Sequence, residues 1–125
     1  MTQTIIVADD HPLFRAALKQ AVSQAVPDAK TVEVDSIKAL QAAVESHPDA
    51  DLVLLDLNMP GAHGFSGLVF MRGQYPGLPV VVVSGSEEMQ VMRRSIDYGA
   101  SGFIPKSAPL PTLSLIHISE PTRPY

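Results

Sequence analysis

The stretch Pro79-Val80-Val81-Val82-Val83-Ser84 decides the class of fold. Four β-branched residues in succession leave no polar face. Such a strand is buried on both sides, the pattern of a parallel sheet covered by helices. Working outward, Asp51-Leu-Val-Leu-Leu-Asp56 repeats the theme with an acid at its end, and Thr4-Ile-Ile-Val-Ala8 stops at Asp9-Asp10. Thr31-Val-Glu-Val34 alternates and reads as a second strand, and Phe103-Ile104 begin a short fifth.

Helical repeats fill the intervals. Leu13, Phe14, Ala17, Leu18, Ala21, Val22 and Ala25 recur with helical period. Pro12 suits a first helical position and Pro27 closes the run. Ser36 can cap a helix whose apolar stripe is Ile37, Leu40, Ala43 and Val44, ending near His47-Pro48. Phe65 to Tyr75 is a weaker helix, because Gly67 and Gly73 each cost about 1 kcal/mol against alanine. Glu87 to Tyr98 gives the next, with Val91, Met92 and Ile96 expected inward and Gly99 as its stop. Strands alternating with helices demand a parallel sheet with right-handed crossovers. The expected fold is α/β, a flavodoxin-like doubly wound sheet of five strands in the order 2-1-3-4-5. Sites in that architecture form at the carboxyl ends of strands, where the strand order reverses.

A length of 125 residues allows one domain with one core. Nine Lys+Arg against thirteen Asp+Glu give a net charge of −4, which argues against binding nucleic acid through a basic surface. The absence of cysteine excludes disulfides, thiolate zinc sites and a cysteine nucleophile. Apolar runs such as Leu52 to Leu55 and Val80 to Val83 are far shorter than the ~20 residues of a membrane span. MTQTIIVADD lacks the basic start of a secretory leader, so the expected location is the cytoplasm.

The end of the chain departs from this pattern. A fifth helix is due after Lys106 and could begin at Pro111, yet Leu113, Leu115, Ile116 and Ile118 keep no helical period before Pro121. The run resembles the conceptual translation of a transposase sequencing adapter. We therefore divide the chain into a functional unit, 1–112, and a tail, 113–125, read as an artificial junction; a genuine short strand and tail is the alternative. On the first reading the fifth helix is missing or replaced, and the sheet face near strand five is expected to lie uncovered.

Four of the five strands end in a polar residue with chemistry to offer. Asp9 and Asp10 end strand one, Asp56 ends strand three, Ser84 ends strand four and Lys106 follows strand five. Strands one and three are neighbours at the switch point, so three carboxylates gather in one crevice. That is unfavourable unless one takes a proton or a cation binds, and Mg²⁺ is held by one or two carboxylates with several waters. A hard cation, the Lys106 ammonium and the Ser84 hydroxyl around a carboxylate make a site for a phosphoryl group. Asp56, in the middle, would be the nucleophile. Each residue also has a blander reading: an Asp pair as turn and cap, Asp56 as turn-former, Ser84 as helix cap, Lys106 on the surface, Phe103 in the core. His11 and His63 read as solvent-facing loop residues, and His47 as a helix-end residue.

ADDHPLFR (8–15), LLDLNMPG (54–61), VVVVSG (80–85) and GASGFIPKS (99–107) together resemble the receiver domain of two-component response regulators. The resemblance covers 1–112. It implies Asp56 as phosphoacceptor, and Mg²⁺ ligated by Asp10, Asp56 and the backbone carbonyl of Asn58, with Asp9 acting through a water. It also implies that Ser84 and Lys106 contact the phosphoryl oxygens, and that Phe103 occupies the aromatic switch position, turning inward as Ser84 is drawn to the phosphate. Such a module is not an enzyme in the usual sense, since it catalyses only its own phosphorylation and dephosphorylation.

The implied partner is a sensor histidine kinase. ADDHPLFR and the ending PKS look most like regulators whose receiver precedes a LuxR-type helix-turn-helix domain. DNA would then be bound only through that further domain, and homodimers would form through the face of helix four, strand five and helix five. With helix five lost, dimerisation or output is expected to be impaired. Two departures from the family pattern stand out. Phe103 replaces the commoner tyrosine, and Ser107 stands where many receivers have proline, so a cis bond there is disfavoured by about 2.5–4 kcal/mol.

Three other readings fit the residues less well. A haloacid-dehalogenase-type Mg²⁺ phosphatase needs an acid two residues after the nucleophile, where Asn58 stands. A receiver used only as an interaction module would not need the five site residues. A flavin-binding protein lacks its Ser/Thr-rich phosphate loop after strand one.

Overall fold

The computed structural model describes residues 3–61, 64–86 and 88–107. Nine elements follow in chain order: β1 (Thr4–Ala8), α1 (Pro12–Ala25), β2 (Lys30–Val34), α2 (Ile37–Ser46), β3 (Leu52–Asp56), α3 (Ser66–Gln74), β4 (Val80–Ser84), α4 (Met89–Asp97) and β5 (Gly102–Pro105). All strand pairs are parallel, in the order β2-β1-β3-β4-β5. This is the doubly wound arrangement read from the sequence. His63, Glu87 and residues 108–125 lie outside the described residues, and with them the proposed tail and the question of a fifth helix. Among the described residues there is no cis peptide bond.

Strand side chains alternate between two faces. Ile6, Val53, Leu55, Val80 and Val82 pack with Leu40 of α2 and with Leu68 and Met71 of α3. Ile5, Val7, Leu54, Val81, Val83 and Ile104 pack with Leu18 and Val22 of α1. Each fully buried Val, Leu or Ile contributes about 1.5–3 kcal/mol of transfer free energy. The apolar runs therefore anchor the strands, and the residues just past them are placed by register.

Local signals fix the connections. The Ser36 Oγ accepts the Ala39 N–H at 3.1 Å, capping α2 as expected. Gly99 ends α4 with φ +104°, and a Cβ there would lie 3.0 Å from the Arg72 Nε. On the same edge of the sheet, the turn Pro76 to Pro79 feeds β4, and the exposed Gly77 has open space around it.

Three expectations are corrected. Leu13 is 89% exposed, so the apolar stripe of α1 begins at Phe14. Met92 and Ile96 of α4 face outward, at 41% and 47% exposure. The inner line of α4 instead runs through Val91 and Ser95, one turn apart. Ser95 is fully buried and its Oγ donates to the Val91 carbonyl at 2.9 Å. A small residue that satisfies its own hydroxyl lets the helix sit close to the sheet, where a larger apolar residue would hold it off. The sheet face near β5 is not open either. Val81, Val83 and Ile104 are buried, in one cluster with Leu18, Val22 and Leu54.

Candidate functional site

Register carries the polar strand ends to one edge. Ala8 pairs with both Val34 and Leu55, so Asp9 and Asp56 each follow directly on that level. Asp56 pairs with Val83, and Ser84 with Pro105, which sets Lys106 one residue beyond. The Lys106 N–H donates to the Ser84 carbonyl at 2.7 Å and extends that ladder.

Asp9 and Asp56 are both fully buried. Turns hold one oxygen of each: Asp9 Oδ1 accepts the His11 N–H at 2.7 Å, and Asp56 Oδ1 accepts the Asn58 N–H at 3.1 Å. The Lys106 Nζ reaches in from β5, 3.1 Å from Asp9 Oδ2 and 3.4 Å from Asp56 Oδ2. Its ammonium also lies 4.9 Å from the centre of the Phe14 ring, so the aromatic that opens the α1 stripe doubles as a floor for the lysine. Arg15 secures the back of the notch, its Nη1 donating to the Asp9 carbonyl at 2.8 Å.

The predicted residues Asp9, Asp10, Asp56 and Lys106 thus converge. Asn58 is fastened to Asp56 through its own N–H. Ser84, almost wholly buried, lies on the same edge with its Oγ accepting the Ser86 N–H at 3.1 Å. Phe103 sits apart, half-buried on the α4 side, where it lines a cavity of about 350 Å³ with Met89, Met92, Arg93, Ile96 and Asp97. His47 ends α2 as expected, its Nδ1 3.0 Å from the Ala43 carbonyl.

His11 is a solvent-exposed loop residue, as read from the sequence, and it also touches the acidic notch, which that reading did not include. Its side chain is 59% exposed, and its Nδ1 lies 3.0 Å from Asp9 Oδ1, 3.2 Å from Asp10 Oδ1 and 3.6 Å from Asp56 Oδ2. Pro12 takes the first helical position, so His11 is the N-cap, and its N–H is tied to Asp9.

Acceptors outnumber donors here. Asp9 Oδ2 and Asp10 Oδ1 are buried without a hydrogen-bond partner among the described residues, although Lys106 faces the first. Burial pushes the Asp56 carboxyl above its ordinary 3.8. The Asp9 charge adds to this, while the Asn58 N–H and Lys106 oppose it. Oxygen-rich, over-acidic and short of donors, the notch fits a hard divalent cation. One ligand atom each from Asp9, Asp10, His11 and Asp56 lie within 4.8 Å of one another.

A doubly wound parallel sheet with an acidic notch at its switch point is the class defined so far. Residues 5–116 match the family described as the response regulator receiver domain, and the chain belongs to that family. A glycerol metabolism activator of Pseudomonas putida is 45% identical over 105 residues, covering 84% of this chain and 48% of that protein. The nitrate/nitrite response regulator protein NarL of Escherichia coli strain K12 is 36% identical over 103 residues, covering 82% of this chain and 47% of its own. Among solved structures, the signal receiver domain of NarL from Mycobacterium tuberculosis matches with a TM-score of 0.82 at 26% identity, covering 96% of each chain. The chain spans about half the length of the curated relatives it matches. Receiver domains are signalling modules of response regulators, and the relatives include NarL proteins. No helix among the described residues is long and apolar enough to cross a membrane.

Proposed function

We propose that this chain accepts a phosphoryl group on Asp56 from the phosphohistidine of a sensor histidine kinase, in the cytoplasm. The observation that carries the reading is the convergence on Asp56 of one ammonium and two further carboxylates in a single buried notch. An Asp56 carboxylate oxygen attacks phosphorus in line. The P–O bond forms as the P–N bond breaks, and the electron pair returns to the imidazole nitrogen of the kinase. The Asn58 N–H holds Asp56 Oδ1, Lys106 offsets charge beside Oδ2, and Ser84 offers a hydroxyl from β4. Asp9, Asp10, Asp56 and the Asn58 carbonyl would hold Mg²⁺, which when bound neutralises charge on the phosphoryl oxygens.

The output is a population shift. Ser84 moves toward the new phosphoryl group and Phe103 turns inward behind it, reshaping the side of β5 that borders α4. The exposed Met89, Met92 and Ile96 lie along that border and support its use as a dimer surface in the intact parent. The share of the relatives left unmatched supports a longer parent that regulates transcription through a DNA-binding domain.

Acetyl phosphate with Mg²⁺, followed by intact-mass spectrometry, tests the central step. The expected result is one added phosphoryl group, released by hydroxylamine and absent from Asp56→Asn. Equal labelling of Asp56→Asn, or none of the unaltered chain, refutes the reading.

A further inference from the structure

We infer that a second cavity, where the chain enters β3 and β4 and away from the acidic notch, takes a small organic ammonium ion with an apolar body. The cavity measures about 410 Å³. That lies within the ~300–1,000 Å³ of small-molecule sites, which combine apolar walls with a few convergent polar groups. Its apolar walls are Val44 near the end of α2, Ala50 before β3 and Leu78 before β4. Tyr75 adds an aromatic ring, braced edge-on by Phe70 with the ring centres 6.5 Å apart. Glu45, His47 and the Tyr75 hydroxyl are its polar groups.

The electrostatics select a cation. α2 and α3 both end here and bring their negative carbonyl ends to this rim. The last turn of α2 has no basic residue to answer that charge. The last turn of α3 has Arg72, but its Nη1 donates to the Pro76 and Leu78 carbonyls at 3.0 and 3.1 Å, and it does not line the cavity. Among the described residues Glu45 has no ion-pair partner, and the Gln41 amide reaches it only at 3.5 Å. Burial first, and then the Glu45 charge, hold the Tyr75 phenol above its ordinary 10.0, which sets the acid beside that hydroxyl. His47 spends its Nδ1–H on the Ala43 carbonyl at 3.0 Å, so a neutral ring keeps Nε2 as an acceptor. An ammonium group therefore meets a carboxylate and an aromatic ring, and its apolar body meets Val44 and Leu78, whereas an anionic ligand meets like charge. Bound there, it ties the end of α2 to the turn that feeds β4.

Titrating the ¹⁵N-labelled full chain with benzylamine, benzyl alcohol and benzoate provides the test, at about pH 8, where an ordinary imidazole is neutral. The three probes share one ring and differ in charge. Benzylammonium should give saturable shifts in the amides of Glu45, Ala50 and Gly77. An exposed charge pair and a cation–ring contact together should make it about fivefold tighter than the alcohol, with benzoate weakest. Glu45→Gln should bring the amine down to the affinity of the alcohol and leave the alcohol unchanged. Asp49→Asn, an exposed acid nearby that does not line the cavity, should change either by less than about twofold. No saturable shift at these amides, equal affinity for amine and alcohol, or tightest binding of benzoate overturns the inference. So do amine shifts confined to Asp9, Asp10 and His11, which would put the ammonium in the acidic notch. Equal weakening by Asp49→Asn and Glu45→Gln overturns it as well, since surface charge alone would then account for binding.

Discussion

Asp56 is fully buried, and on the proposed function it has to be an anion to attack phosphorus. Its carboxyl binds a proton more tightly in the folded chain than in the unfolded one, mainly because of burial. The protonated carboxyl therefore favours folding. That advantage is present below the unfolded value near 3.8 and is lost as pH rises through the raised folded value. At neutral pH the ionised side chain is a standing cost. Asp56→Asn should accordingly unfold at a higher temperature than the unaltered protein in chelator at neutral pH, with the gap closing as pH falls toward 3.8. Scanning calorimetry across that range checks it; a gap of the same size at both ends would contradict the assignment. The acids and Lys106 were legible in the sequence because each terminates an apolar run. His11 was not, since the sequence shows that a histidine follows two acids but not which way its ring turns.

Elements were legible where one face dominates. α2 follows its stripe and its Ser36 cap closely, because Leu40, Ala43 and Val44 define a single buried line. α4 did not, although its period was read correctly. It carries two apolar lines, and the inner one contains Ser95, which a hydropathy reading counts as polar. Leu13 failed for a related reason: a first-turn residue extends the periodic pattern while the helix is still turning away from the sheet. The end of α4 makes a quantitative case. Gly99→Ala would force an L side chain to φ +104° with its Cβ 3.0 Å from Arg72 Nε, an atom on a flexible side chain. The backbone strain alone should cost about 1–3 kcal/mol, read as a lower urea midpoint at unchanged slope. A change within error would mean the turn tolerates alanine.

At the scale of the molecule, the strand order was set by alternation and handedness, so the topology was more legible than any loop. The notch is stitched from the ends of β1, β3 and β5, and a cation bound there links segments distant in the chain. Binding to the folded state alone adds about 2.7 kcal/mol at a free concentration a hundred times Kd. The melting temperature should therefore climb with added Mg²⁺, and Asp10→Asn should flatten that rise. A thermal-shift titration decides, and an equal rise in both proteins would place the ion elsewhere. The same polarity has a practical side. The turn at Gly77 lies on the far rim, with room for a new side chain, and the chain has no cysteine of its own. A thiol introduced there would be unique, so a dye or a surface tether could be attached through it while the chemistry at the opposite rim proceeds undisturbed.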